Sequence, residues 1–230
     1  MATTTSDTVS ISARDGAFDA YRVLPATTPA AAVILIAPIF GVTESMQQIA
    51  QRFAARGFIA LVPDPFWRVH PGPLAQQERP AALARGQAVT QEDVMHDIER
   101  CVDALREMPE CNGTVALAGY CFGGKYAFLA AARGIVDAAA AFHGTRIGTV
   151  LEEAPALRVP LSLHFGEEDT IATMDEVRAV EAALAGKRKI DVVVYPGVGH
   201  GFTQTDQHGY DAAVTAASEA RVFEVFAALD

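Results

Sequence analysis

The chain has 230 residues, enough for one large α/β domain and short for two. Half are hydrophobic and a fifth charged, and a net charge of −10 without a basic run argues against a nucleic-acid partner. No apolar run is long enough to span a membrane, the first seven residues hold no basic-then-apolar leader, and three cysteines without paired spacing suit a reducing, cytoplasmic setting better than a disulfide framework.

Residues 8–13 and 17–24 alternate apolar and polar around Asp15-Gly16, which predicts an antiparallel hairpin. A Pro/Ala loop over 27–32 precedes Val33–Ala37, a continuous apolar run expected of a strand covered on both faces and stopped by Pro38-Ile39-Phe40-Gly41. The next helix carries Met46, Ile49, Ala50, Phe53 and Ala54 on one stripe and ends at Gly57. Phe58–Val62 is a second buried strand, halted by Pro63-Asp64-Pro65. Residues 65–90 hold four prolines and two glycines with little period, and read as a long excursion with one short helix. Thr90–Met108 is a strong helix, Thr90 and Asp93 forming its capping box and Val94, Ile98, Cys101, Val102 and Leu105 its buried face. Asn112-Gly113 reads as a turn into the strand Thr114–Ala118. Further on, strands are expected over 135–142, 161–165 and 190–195. A helix capped by Thr173 and Glu176 runs to Leu184, and a last helix from about Tyr210 carries Val222, Val225, Phe226 and Leu229 on one stripe.

Between a buried strand and an Ala-rich helix lies Gly119-Tyr120-Cys121-Phe122-Gly123-Gly124. This is the shape of a nucleophile elbow with cysteine at its tip. The tight turn strains the nucleophile's backbone, its neighbours must be small, and the first helical turn aims N–H groups and partial positive charge at the sulfur. In a mostly parallel sheet reactive groups gather past the carboxyl ends of the strands. Asp169, after Gly166-Glu167-Glu168, and His200, between Gly199 and Gly201, hold such positions. The order Cys121, Asp169, His200 is that of the α/β-hydrolases, with His200 as base then acid and Asp169 fixing its tautomer. The Phe122 N–H is one expected oxyanion donor; the second is expected from the loop Pro38-Ile39-Phe40-Gly41, where Pro38 has no N–H to give and Ile39 is favoured.

Ile39-Phe40-Gly41, Pro63-Asp64, the cysteine elbow, Gly166-x-x-Asp169 and Gly199-His200-x-Phe202 run in order along nearly the whole chain. By these the chain resembles the dienelactone hydrolase family. The resemblance implies a Cys-His-Asp triad, no metal or cofactor, and hydrolysis of an enol-lactone or related ester through a thioester. Two positions depart from the pattern. Pro38 stands where the best-known members have a glutamate that helps activate the cysteine, and Gln204 where they have an arginine for the substrate carboxylate. Arg79 or Arg85, in the long excursion, is a candidate to replace part of that charge, and Phe40, Trp67, His143 and Gln204 complete the candidates for substrate contact. Trp67 reads equally well as a clamp on the long loop, and His143 as a structural histidine. His70, His96, His164 and His208 show no metal-ligand spacing.

The sequence thus predicts an α/β-hydrolase fold in one domain over 1–230, with a mostly parallel central sheet, an N-terminal antiparallel hairpin and helices on both faces. It predicts a cysteine-dependent hydrolase of a small-molecule lactone or ester, working as a monomer or homodimer. The rival readings are a general carboxylesterase or thioesterase, and a non-catalytic binder or thiol sensor on the same fold.

Overall fold

The computed structural model describes residues 3–229, so Met1, Ala2 and Asp230, and with them the start of the N-terminal reading, lie outside the described residues. Contacts divide the chain into two compact units, one ending at Ala116 and one beginning at Leu117.

In the first unit β1 (Thr5–Ala13), β2 (Gly16–Leu24), β3 (Ala30–Ile36) and β4 (Ile59–Pro63) lie in the order β1-β2-β4-β3. β1 and β2 are the expected hairpin, Ala13 opposite Gly16, and β2 pairs antiparallel with β4. β3 and β4 run parallel, and both are buried throughout, as their unbroken apolar sequences require. β3 starts at Ala30, inside the expected loop: burial recruits Ala30–Ala32 into the strand although alanine has little strand preference, and the Ala30 N–H donates to the Glu110 carbonyl (2.8 Å).

Helix α1 (Glu44–Ala55) buries the expected stripe of Met46, Ile49, Ala50, Phe53 and Ala54. Each of its larger side chains contributes about 1.5–3 kcal/mol by leaving water. The excursion holds a 3-10 turn and then α2 (Arg79–Ala88), before α3 (Gln91–Glu107). Only half of the α3 capping box forms. The Thr90 hydroxyl accepts from the Asp93 N–H (3.1 Å), while the Asp93 carboxylate accepts from that hydroxyl and pairs with Arg14 instead of reaching back. β5 (Cys111–Tyr120) starts before Asn112-Gly113, so the expected turn lies inside the strand; Gly113 absorbs the distortion with φ +96°.

Trp67 is fixed within this unit. Its Nε1–H donates to Asp97 (2.8 Å), Phe18 stacks on it with centroids 5.7 Å apart, and the Arg68 guanidinium lies 4.1 Å from the ring centroid. Arg68 also bridges Asp15 and Asp97. Removing a buried carboxylate that holds two donors is costly. Asp97→Ala is expected to lower unfolding free energy by about 2–4 kcal/mol in a urea titration followed by fluorescence of Trp67, the only tryptophan.

In the second unit the continuation of β5, β6 (Ala138–Phe142), β7 (Leu161–Gly166) and β8 (Ile190–Tyr195) lie in that order, with β6/β7 and β7/β8 parallel. Helix α4 (Gly123–Ala132) is buried along its length, which explains its Ala-rich, stripe-free sequence. The expected loop before β7 contains an irregular 3-10 stretch, Ile147–Ala156, broken at Val150 and holding Pro155. α5 (Met174–Leu184) lacks the expected cap: Thr173 makes no side-chain bond there, and Glu176 accepts from the Gly148 N–H (2.9 Å). α6 (Ala212–Ala227) starts after Asp211, whose carboxylate accepts from the Ala213 and Val214 N–H groups. Among the described residues no helix is long and apolar enough to cross a membrane.

Candidate active site

Cys121 sits at the bend between β5 and α4 with φ +50°, a left-handed conformation rare outside glycine. Sterics and hydrogen bonds hold it there. A Cβ on Gly119 would overlap the Gly123 carbonyl, and one on Gly124 would overlap the Gly144 backbone. The Cys121 N–H donates to the Phe142 carbonyl (3.1 Å), and its own carbonyl accepts from Gly124 (3.0 Å) and Thr145 (2.9 Å) N–H groups. The strain of the turn, on the order of 1–3 kcal/mol, is thus over-determined by its surroundings. Phe122 begins the helix with αR angles, as a nucleophile elbow requires of the residue after its tip.

Asp169 ends the loop after β7. One carboxylate oxygen accepts from the Ile171 (2.7 Å) and Ala172 (2.9 Å) N–H groups; the other contacts His200 Nδ1 at 2.7 Å. Its two acidic neighbours differ: Glu167 and Glu168 are exposed, and Glu167 accepts from the Gly197 N–H (3.1 Å), so it braces the histidine loop from outside. Close approach of that loop to the end of β7 is why residue 166 is glycine: a Cβ there would strike the Val198 carbonyl. Gly201, at φ +80°, lets the chain turn directly after His200.

Burial alone would discharge the His200 imidazole. The hydrogen bond from Nδ1 to the Asp169 carboxylate, with the nearby Cys121 sulfur, outweighs that and raises the pKa to about 10. Nε2 is buried and makes no bond of good geometry, so Cys121 and His200 are close neighbours rather than a formed hydrogen-bonded pair.

His143 follows β6 and is fully buried. Its Nε2 contacts the Thr203 hydroxyl (3.0 Å), and its ring meets that of His200 edge-on, centroids 4.8 Å apart. Gln204 is also buried. The remaining candidates lie in the first unit. Phe40 packs with Leu74 and Ala82, with Ile39 against them. Arg79 is exposed at the start of α2. Arg85 is buried under Phe66 and donates to the carbonyls of Ile39 (2.8 Å), His70 (2.9 Å) and Gly72 (2.6 Å), leaving Nη2 without a bond. Asp64 accepts from the Phe66 and Gly72 N–H groups, the turn-forming role its Pro-Asp-Pro setting suggests. Thr203 carries no sequence signal that could have singled it out. Among the described residues no group of histidines, cysteines and carboxylates could hold a metal ion.

The model of the dienelactone hydrolase family matches residues 18–229. The chain belongs to that family. Carboxymethylenebutenolidase 1 of Cupriavidus pinatubonensis is 31% identical over 229 residues, 97% of each chain. The carboxymethylenebutenolidase of Pseudomonas putida is 31% identical over 226 residues, 96% of each. A solved Klebsiella pneumoniae structure, provisionally named a dienelactone hydrolase, superposes with a TM-score of 0.87 at 23% identity, covering 98% of this chain and 99% of its own. The fold is the α/β-hydrolase fold, and this dienelactone hydrolase family member is a carboxylic-ester hydrolase.

The raised His200 pKa has a consequence for stability. A group protonated more tightly in the folded state stabilises it fully below the unfolded pKa, and loses that effect as pH rises through the folded one. The His200 contribution is therefore complete below about pH 6.5 and fades as pH climbs through about 10. Urea melts of wild type and His200→Gln between pH 6 and 11 are expected to differ most at the acid end and converge at the alkaline end.

Proposed function

We propose that this hydrolase cleaves a small lactone or ester with Cys121 as nucleophile, through a thioester acyl-enzyme. The observation that supports this most is the His200 ring beside Cys121, tied at 2.7 Å to the buried Asp169 carboxylate, which with the nearby sulfur raises its pKa. An imidazolium beside a thiol at a helix N-terminus favours the thiolate.

The sulfur attacks the carbonyl carbon and forms the S–C bond. As the adduct collapses, the C–O bond to the alcohol or enol breaks and His200 delivers its proton to the departing oxygen. The neutral imidazole then takes a proton from water, which attacks the thioester. The C–S bond breaks and the thiolate–imidazolium pair is restored. Asp169 holds Nδ1 throughout and keeps one tautomer. The Phe122 N–H is the proposed first oxyanion donor. Ile39, assigned on the Ile-Phe-Gly resemblance, is the second, and the Arg85 bond to its carbonyl supports a fixed peptide there.

The curated relatives are named carboxymethylenebutenolidases, so a butenolide of that type is the first substrate to test. Pro38 and Gln204 favour a second reading, a broader carboxylesterase or thioesterase, because neither can activate the thiol or hold a substrate carboxylate as the family's glutamate and arginine do. Arg85 and the exposed Arg79 are the cations proposed to compensate. Cys101, Cys111 and Cys121 are all free, which supports the cytoplasmic reading. The family match over 18–229 supports one catalytic domain.

Cys121→Ala is expected to lower kcat on an activated aryl ester by about 10⁴-fold or more while the circular dichroism spectrum is unchanged. Turnover within about tenfold of wild type would remove the cysteine from the mechanism. A dienelactone hydrolysed faster than the aryl ester selects the narrow substrate; the reverse selects the broad esterase.

A further inference from the structure

Asp169 fixes one nitrogen of His200, but a single hydrogen bond leaves the ring free to tilt about that contact. We propose that His143 is a positioning residue for this hydrolase: an uncharged ring wall, locked by Thr203, that stops the His200 imidazole from swinging off the line to Cys121. The proposal rests on the reading of His200 as the acid–base group.

Four observations converge. The two rings meet edge to face at 68°, centroids 4.8 Å apart, within the 4.5–7 Å band of attractive T-shaped pairs. His143 is clamped on its other sides: Nε2 contacts the Thr203 hydroxyl at 3.0 Å, and its ring meets Phe202 at 80° and 5.2 Å. Both partners lie within three residues of His200, so one side chain from the end of β6 grips the histidine loop and its ring together. The His143 backbone is fixed as well, its N–H donating to the His164 carbonyl at 2.7 Å while φ stands at +41°. A non-glycine residue in that conformation costs free energy and persists only where the surroundings impose it.

Charge explains why the wall must be neutral. His143 is buried and its Nδ1 has no partner. Burial, then the neighbouring His200 charge, hold its pKa well below 6.5. His200 therefore gains and loses its proton without a competing cation, and burial of an unpaired ring nitrogen, a sacrifice of stability, is accounted for by what the ring does for its neighbour.

The role predicts a pattern that simple structural support would not give. His143→Ala is expected to lower kcat about 10–100-fold with KM nearly unchanged, because misplacement of an acid–base group acts on the chemical step. His143→Phe combined with Thr203→Val restores an aromatic wall without orphaning the hydroxyl, and is expected to recover kcat to within about fivefold of wild type. A double variant no better than alanine would overturn the wall in favour of the ring nitrogens. Should His143→Ala fail to fold, Thr203→Val alone tests the lock, with an expected fall of about 3–10-fold; an unchanged kcat would contradict it. Imidazole NMR of His200 reads the same claim without turnover. Wild type is expected to give one sharp set of ring resonances and His143→Ala a broadened or doubled set. Broadening in a protein that hydrolyses no ester would support the wall while removing the hydrolase mechanism. Sharp His200 resonances and unchanged kcat in folded His143→Ala would overturn the proposal.

Discussion

The second unit depends on a close approach of backbones at the bend that carries Cys121. Gly119 lies where the Gly123 carbonyl passes and Gly124 where the Gly144 backbone passes, so neither position has room for a methyl group. This packing lets a strand become a helix within two residues, and it forces the cysteine into a left-handed conformation. Three backbone hydrogen bonds, to Phe142, Gly124 and Thr145, distribute that strain over the end of β6, the loop after it and the start of α4. A cysteine whose backbone is held in this way cannot shift its Cα away from whatever faces it.

What faces it is assembled from two loops of different design. The Asp169 loop is rigid because the carboxylate is saturated by two backbone N–H groups before it meets the imidazole. The His200 loop has glycines at 197, 199 and 201 and gains its rigidity from outside, through Glu167 below and the His143–Thr203 contact above. Electrostatics then sets the protonation state. Burial of His200 opposes the charge, and the Asp169 carboxylate, with the nearby Cys121 sulfur, overcomes it. The same burial acts unopposed on His164, which is pushed down to about 3 and stays a neutral link between Ser162 and Tyr195. Two histidines in one core thus end at opposite extremes, and the presence of a carboxylate partner decides which.

Much of this is legible in the sequence wherever the cause is local. The glycines of the elbow, the unbroken apolar strands, the α1 stripe and the Asp15-Gly16 hairpin all follow from sterics or periodicity within a few residues. The Asp169–His200 contact is also readable, because each residue sits in its own loop after a parallel strand, where such topology collects side chains. Contacts that need the folded chain are not. Thr203 meets His143 across 60 positions, with nothing in either neighbourhood to announce it. Trp67 carries two readings in the sequence, and its packing on Phe18 and its bond to Asp97 are made by residues far along the chain. Arg85 reads in the sequence as a candidate for a substrate carboxylate, yet it gives most of its donors to backbone carbonyls far along the chain. The α5 cap fails for the same reason: Glu176 has a better acceptor role at Gly148 than at Thr173.

The proposed chemistry passes the acyl group through the sulfur of Cys121. Acid quench of the enzyme during turnover of an activated aryl ester, followed by mass spectrometry of its peptides, tests it directly. The account predicts an added acyl mass on the peptide that contains Cys121, appearing in the first turnover and removed by hydroxylamine. An acyl mass on any other residue, or product released in a first-turnover burst with Cys121 unmodified throughout, would contradict it.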